Sequence, residues 1–343
     1  MRYINRPNNS LQWTGNLKTF INFLIKKLCF FYILLSLVSP WTQTQSKSFE
    51  KVQRFHEDGA SYWKLANGPL AGRVAWAFDR PGHDSDPKDL LLSKIKAATS
   101  VEWASYKPTH TEIVQALIKH SNANGVFDGN YCQEECDRIF ETVNTVEPVT
   151  LRIYKSDRKR KWFVMHHKFA IVRSALETGI LTGSFNWTER ATKFNFENLI
   201  YVKSKKIAAA YSNVFRKLPE RESIEVTDGL ISAGFNSAGV KLMKRMIEEA
   251  RKNILVSVWS ISVTSENYPN SVYDALVEAS SRGVDVQILT DHRKSKKRIY
   301  TKLDVHPVHM VSRKAHMHHK FMVIDNKYVI SGSYNFVTKS LSG

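Results

Sequence analysis

Two sets of residues in this chain have the types and spacing to do chemistry: His166, Lys168, Ser184 and Asn186, and then His318, Lys320, Asp325, Ser333 and Asn335. They stand in near-copies of one stretch. The first reads Met165-His166-His167-Lys168-Phe169-Ala170-Ile171-Val172, then Gly183-Ser184-Phe185-Asn186. The second reads Met317-His318-His319-Lys320-Phe321-Met322-Val323-Ile324-Asp325, then Gly332-Ser333-Tyr334-Asn335. Each His-x-Lys runs into four apolar residues, the pattern of a short buried strand. Alternate residues of a strand share a face, so His166 lies beside Lys168 and His318 beside Lys320, while His167 and His319 point the other way. Imidazole titrates near neutrality and serves as nucleophile, acid or base. An ammonium and an amide beside it suit the non-bridging oxygens of a phosphodiester. Two imidazoles on opposite sides of phosphorus then divide the reaction, one attacking and the other protonating the leaving alcohol before activating water. This scheme needs no metal or other cofactor. A cluster of His306, His309, His316 and His318 is the alternative, but the carboxylates and spacing of a dedicated metal site are missing.

These residues resemble the phospholipase D superfamily, whose signature is His-x-Lys, four residues, Asp, six residues, Gly-Ser-x-Asn. The second copy matches it from His318 and Lys320 through Asp325 to Gly332, Ser333 and Asn335. The first has Arg173 where Asp belongs, and nine residues rather than six before Gly183. The resemblance covers roughly residues 70 to 343. It implies two α/β lobes of mixed sheet flanked by helices, facing each other across a pseudo-two-fold axis with the active site between them, so that no oligomer is required. It also implies a phosphohistidine intermediate, with His166 as nucleophile, His318 as acid and base, Lys168, Lys320, Asn186 and Asn335 on the phosphoryl oxygens, and Ser184 and Ser333 in support. In nucleases of this superfamily a Glu at the position of Glu197 orients the catalytic His, so Glu197 is expected to hold His166. Glu197 lies 13 residues beyond Ser184, whereas only ten residues follow Ser333. The second copy therefore reads as truncated before an equivalent Glu, or as a shortened working lobe in which Asp325 does the orienting.

An internal repeat supplies the elements that must position these residues. In the first half a helix over 90–98 leads to a strand over 100–106, a helix over 111–120 and Gly125-Val126. In the second a helix over 240–250, amphipathic through Leu242, Met243, Met246, Ile247 and Ala250, leads to a strand over 254–263, a helix over 271–280 and Gly283-Val284. Trp103 and Trp259 fall at corresponding places in this alignment. One more strand, over 149–154 and over 308–311, precedes each His-x-Lys strand, and alternating strands and helices argue for α/β lobes. The domains expected are 1–45 as signal peptide or membrane anchor, 46–70 as a lead-in, 71–222 as the first lobe and 223–343 as the second.

With 343 residues, 43% hydrophobic and 11% aromatic, the chain is globular in composition, and disorder is excluded as its default. The basic N-terminus and the apolar run from Leu28 to Val38 have signal-peptide geometry and point to export or to a membrane anchor. Cys132 and Cys136, in an insertion over 127–148, read as two ordinary cysteines, or as a local disulfide if the chain is exported. The formal charge is +18, and the first 45 residues hold five bases and no acid, which leaves +13 for the rest. Such an excess favours nucleic acid, an anionic membrane surface or phosphorylated substrates. Arg158, Lys159, Arg160 and Lys161 before the first His-x-Lys strand, and Arg293, Lys294, Lys296, Lys297 and Arg298 in the second half, are the substrate-binding candidates. The function expected is hydrolysis of phospholipid headgroups, with a nonspecific nuclease as the alternative and an inactive basic binding protein as a third reading.

Overall fold

The computed structural model describes residues 52–57, 60–65, 67–79, 86–120, 122–143, 150–154, 164–218, 220, 222–265, 270–294, 302–309 and 313–337. The N-terminal segment expected to direct export, the run Arg158 to Lys161, and Lys296, Lys297 and Arg298 lie outside them. Among the described residues no helix is long and apolar enough to cross a membrane.

The first half builds a nine-stranded mixed sheet. Its elements in chain order are β1 (Val52–Glu57), β2 (Ala60–Leu65), β3 (Val74–Asp79), α1 (Pro87–Ala97), β4 (Ser100–Ser105), α2 (Thr111–Ile118), β5 (Ala123–Asp128), α3 (Gly129–Val143), β6 (Thr150–Tyr154), β7 (Lys168–Arg173), β8 (Thr178–Gly183), α4 (Glu189–Phe194), β9 (Glu197–Lys203) and α5 (Lys205–Arg216). The strands lie in the order β1-β2-β3-β9-β8-β7-β4-β5-β6. The segment expected as a lead-in thus contributes a hairpin to this sheet, joined through Trp63 and Lys64 to β3. Parallel pairing of β4, β5 and β6 follows from the helices that intervene between them. Trp103 and Trp187, both fully buried, meet at 5.7 Å in its core. A Cβ on Gly125 would stand 2.0 Å from the Trp103 ring, so that position takes only glycine.

The second half repeats the plan with fewer strands. A small sheet of β10 (Glu225–Asp228) and β11 (Ile231–Gly234) precedes α6 (Asn236–Glu248), β12 (Asn253–Val258), α7 (Ser271–Ser281), β13 (Asp285–Asp291), β14 (Asp304–Val308), β15 (Lys320–Ile324) and β16 (Tyr328–Ser331). The sheet order β14-β13-β12-β15-β16 matches β6-β5-β4-β7-β8. β14 begins at Asp304, four residues ahead of the strand expected at 308, and the strand expected over 254–263 stops at Val258.

Registers decide which residues correspond. Ser105 pairs with Lys168, and Val258 pairs with Lys320. The next residues, Tyr106 and Trp259, donate their amides to the His167 and His319 carbonyls at 2.8 and 3.0 Å. Trp259 therefore corresponds to Tyr106 and not to Trp103, which belongs to the core three residues earlier. Between the lobes, the Phe196 amide donates to the His316 carbonyl at 2.8 Å and the His318 amide to the Phe196 carbonyl at 3.0 Å. Phe78 of the first sheet packs edge-on against Phe321 and His319 of the second.

Cys132 and Cys136, one turn apart on α3, are joined in a disulfide with a Cα separation of 5.3 Å. The reading of two ordinary cysteines is corrected by the helix, which sets residues four apart on one face.

Candidate active site

Each His-x-Lys pair closes on itself. Lys168 Nζ stands 3.1 Å from His166 Nε2 and donates to the His166 carbonyl at 2.9 Å. Lys320 Nζ repeats both contacts on His318, at 3.1 and 2.9 Å. An ammonium only donates, so His166 Nε2 offers its lone pair toward Lys168 and its Nδ1 carries the hydrogen; Lys320 Nζ also lies 3.3 Å from His318 Nδ1, so for that ring it is the Glu197 carboxylate that places the hydrogen on Nδ1. His166 Nδ1 lies 3.2 Å from the Ser333 carbonyl, which can only accept, and this assigns the same tautomer. His318 Nδ1 lies 2.8 Å from a Glu197 carboxylate oxygen, and the Ser184 backbone also supports that ring. Each imidazole is therefore gripped by the Gly-Ser-x-Asn turn of the opposite lobe.

The expectation that Glu197 holds His166 is corrected here. Glu197 opens β9 of the first lobe, but the lobes pack so that its carboxylate crosses to His318. Ser184 Oγ donates to it at 2.6 Å and Asn195 Nδ2 at 3.2 Å, and it is fully buried. Burial pushes Glu197 up to about 7, although Lys320, Ser184 and Asn195 oppose the rise. Burial likewise pulls Lys320 down to about 7, with Glu197 opposing. Burial first, then the charges of Lys168 and Lys320, holds His166 well below its ordinary value. His318 moves in the same direction, through burial and then Lys320 and Lys168. Outside the pairs, His167 and His319 are neutral rings, lowered by burial to about 4 and about 3.

Asp325 is not at the site. Its carboxylate accepts the amides of Arg251, Lys252 and Asn253 at 2.8, 2.6 and 3.1 Å, where the chain turns into β12. Arg173, at the matching position, pairs with Glu102 at 2.7 Å and reaches Ser212 at 3.2 Å. Both residues serve the far end of the His-x-Lys strand, so neither orients an imidazole, and Arg173 subtracts nothing from the chemistry.

Two acids passed over in the sequence do position the site. Asp128, fully buried at the end of β5, accepts the Met165 amide at 2.7 Å and those of Asn130 and Tyr131 at 2.9 and 3.2 Å. Asp291, fully buried at the end of β13, accepts the Met317 amide at 3.1 Å. Each thus fixes the residue before the histidine of a His-x-Lys pair. Burial raises Asp128. For Asp291 burial is outweighed by Arg293, His316 and two amides, which hold it below the usual carboxylate range. The sequence signal was an Asp closing an apolar strand in both halves. Tyr106 and Trp259 complete the pairing, with ring centroids 5.2 Å from His166 and 5.3 Å from His318.

A cavity of about 1260 Å³ opens over the two histidines and both lysines, bounded by Asn186 and Asn335. The side-chain oxygens of both asparagines are buried with no hydrogen-bond partner among the described residues, so a ligand hydroxyl or water could donate to them. Ser184 is spent on Glu197, and Ser333 contributes its carbonyl. Away from the histidines much of the cavity wall is apolar, with Trp76, Phe78, Phe169, Leu242, Met246 and Ile330, while Lys107, Glu135, Arg190 and Lys327 also line it. Of the basic candidates, Arg293 is occupied by Asp291 and the carbonyls of Arg313 and Ala315, as a clamp. Lys294 lies over the Trp259 ring at 4.7 Å. The four histidines of the metal alternative are separated: His306 faces Asp304, His309 stacks on His292, His316 meets Arg190, and His318 is in the site. Among the described residues no three His, Cys, Asp or Glu side chains are grouped to hold a metal.

A family model described as "Cardiolipin synthase, PLD-like domain" matches residues 91–218 and 243–343, which takes in both His-x-Lys copies. The chain belongs to the phospholipase D superfamily. Among its relatives, the mitochondrial cardiolipin hydrolase of Xenopus tropicalis is 46% identical over 142 residues, covering 40% of this chain and 63% of that protein. The phospholipase D of Rickettsia prowazekii (strain Madrid E) is 28% identical over 184 residues, 51% of this chain and 80% of that one. The phospholipase D fold extends to more distant structures. The phosphatidylserine synthase of Haemophilus influenzae Rd KW20 superposes with a TM-score of 0.52 at 10% identity, over 74% of this chain and 77% of that one.

Proposed function

We propose that this superfamily member is a phosphodiesterase that hydrolyses a phospholipid through a phosphohistidine. The observation that carries the reading is the cross-lobe grip: two Nε2 atoms presented from opposite lobes, each backed by its own lysine and held at Nδ1 by the other lobe. His166 has only a carbonyl at Nδ1, so it stays neutral, as a nucleophile must. Burial and the two lysines hold His318 neutral as well, but its Nδ1 faces a carboxylate, so once the charge of the diester offsets the lysines it is the ring supported in taking a second proton at Nε2 and acting as acid. This keeps the expected polarity on a different ground.

In the first step His166 Nε2 forms a bond to phosphorus, the bond from phosphorus to the leaving oxygen breaks, and the electron pair goes to that oxygen with the proton from His318 Nε2. In the second, His318 takes a proton from water, the new oxygen bonds to phosphorus, and His166 is released. The bound diester brings the negative charge that keeps Lys168 and Lys320 protonated, and Asn186 and Asn335 reach its oxygens. The apolar part of the cavity wall and the likeness to a cardiolipin hydrolase and a phospholipase D support a lipid.

The test is turnover of phospholipid vesicles and bis(p-nitrophenyl) phosphate in excess chelator by the full chain and His166→Ala. Turnover that vanishes in the variant is expected, with a trapped phosphopeptide containing His166. Equal rates in the two proteins mean the site is inactive, and a phosphopeptide containing His318 reverses the polarity.

A further inference from the structure

Asp128 and Asp291 hold Met165 and Met317 alike, but the two carboxylates are themselves held by different means. Asp291 is gripped by the Arg293 guanidinium, at 2.8 and 2.6 Å. Asp128 takes the Asn130 and Tyr131 amides at 2.9 and 3.2 Å, so its support is the first turn of α3. That end of α3 reaches the His166 side by three further contacts. Tyr131 packs on Tyr106 at 5.6 Å, and the Tyr106 ring stands 5.2 Å from His166, with Lys168 Nζ 5.3 Å from its centroid. Glu135 pairs with Lys107 at 2.5 Å, and Cys136 Sγ lies 3.9 Å from the Pro108 carbonyl oxygen. The loop beside His166, residues 106–108, is thus fastened to α3. The fastening is weak without its sulfurs. α3 opens on Gly129 and Asn130, both poor helix formers, and helix ends fray. Cys132 and Cys136, buried in the core of the first lobe, close the turn that follows. A bond between residues only four apart removes little entropy from the unfolded chain, so its effect is local rather than global.

We infer that the Cys132–Cys136 disulfide is a positioning element for His166, and that a dithiol reductant slows attack by that histidine while leaving the lobe folded. This rests on the reading above, in which His166 is the nucleophile. In the reduction the dithiol gives two electrons and two protons: the S–S bond breaks, each cysteine becomes a thiol, and the dithiol closes its own disulfide. The start of α3 then keeps only its backbone hydrogen bonds and its cap. Slack there passes to Met165 through Asp128, and to Tyr106 through Tyr131. On the other side of the site Asp291 is gripped by a guanidinium, which a reductant leaves as it is. The loss therefore falls on the step in which His166 bonds to phosphorus.

The experiment reads that step alone. In the full chain carrying His318→Ala, the burst of nitrophenolate from bis(p-nitrophenyl) phosphate reports attack by His166. Its rate constant and amplitude are measured on the oxidised protein, after dithiothreitol, and after reoxidation, with thiols counted by alkylation and mass and the thermal midpoint followed in parallel. The expected result is a rate constant about tenfold or more lower in the reduced protein, restored on reoxidation, with the amplitude still one equivalent and the midpoint little changed. The same protein carrying Cys132→Ser and Cys136→Ser should show the slow rate with and without dithiothreitol. That variant keeps Cys29, the third cysteine of the chain, so a response to reductant there would assign the effect elsewhere and overturn the inference. Equal rate constants in the oxidised and reduced proteins would overturn it too. Amplitude lost in step with a falling midpoint would make the disulfide a structural staple and overturn the positioning role. A burst with phosphate trapped on His166 that ignores the reductant removes this inference and leaves the phosphohistidine reading standing. Turnover by the full chain that survives His166→Ala, or phosphate trapped on His318 of the full chain, removes the nucleophile assignment and this inference with it.

Discussion

Gly183 and Gly332 occupy the same place in the two copies of the Gly-Ser-x-Asn turn, and only one of them is enclosed. A Cβ on Gly183 would stand 2.2 Å from the Asn198 carbonyl, because β9 runs alongside β8 there. A Cβ on Gly332 would meet nothing within 4 Å, since β16 has no such neighbour among the described residues. The same contrast runs through the site. The first lobe sends a carboxylate across to His318, whereas the second offers His166 a carbonyl. Two copies of one motif have thus become unlike partners, and the difference lies in what packs beside the turn rather than in the motif. The proposed reaction needs such a difference, because one ring attacks through a free Nε2 while the other must deliver a proton from its own.

The largest effects test that division of labour. His166→Ala is expected to lose about 10³-fold or more in kcat on every substrate. His318→Ala is expected to lose as much on lipid, yet to release one equivalent of nitrophenolate from bis(p-nitrophenyl) phosphate, since that leaving group needs no acid. Absence of the burst would break the comparison. Glu197→Gln removes the carboxylate from one ring only and should cost about 10²-fold. Its pH profile carries more information. Glu197, raised to about 7, is ionised only above that pH, and Lys320, lowered to about 7, is charged only below it. The free enzyme's kcat/KM should therefore form a narrow bell near neutrality, and Glu197→Gln should lose the acid limb; an unchanged acid limb would assign it elsewhere.

Smaller effects fall on stability. Gly183→Ala forces backbone apart and should cost about 1–3 kcal/mol in a denaturant titration, while Gly332→Ala should stay within about 0.5 kcal/mol. Equal costs would mean that the two turns are packed alike. Asp325→Ala leaves three amides without their acceptor and should cost about 1–3 kcal/mol with kcat retained. Arg173→Ala breaks a half-exposed pair and should cost about 0.5–1 kcal/mol. A fall in kcat for Asp325→Ala would return that residue to the active site.

Much of the fold was legible because it is written in local patterns. The buried runs after each His-x-Lys, and the helix before β4 with its counterpart before β12, stand within a few residues of where periodicity puts them. The misreadings share a cause. Trp103 and Trp259 are the same residue type, and identity suggested correspondence, but strand register pairs Trp259 with Tyr106. Asp128 and Asp291 carry no motif, and their importance lies in a single amide that each accepts from a residue 37 or 26 positions away.

The sequence by itself determined the local pairing of groups: which imidazole shares a face with which lysine, and that two such pairs exist, because alternation along a strand is a property of neighbouring residues. Only the tertiary structure decided which carboxylate serves which histidine. Glu197 and His318 are 121 residues apart, and no local pattern relates them. Their meeting depends on the two sheets packing through Phe78, Phe196, His319 and Phe321, so that the start of β9 in one lobe faces the His-x-Lys strand of the other.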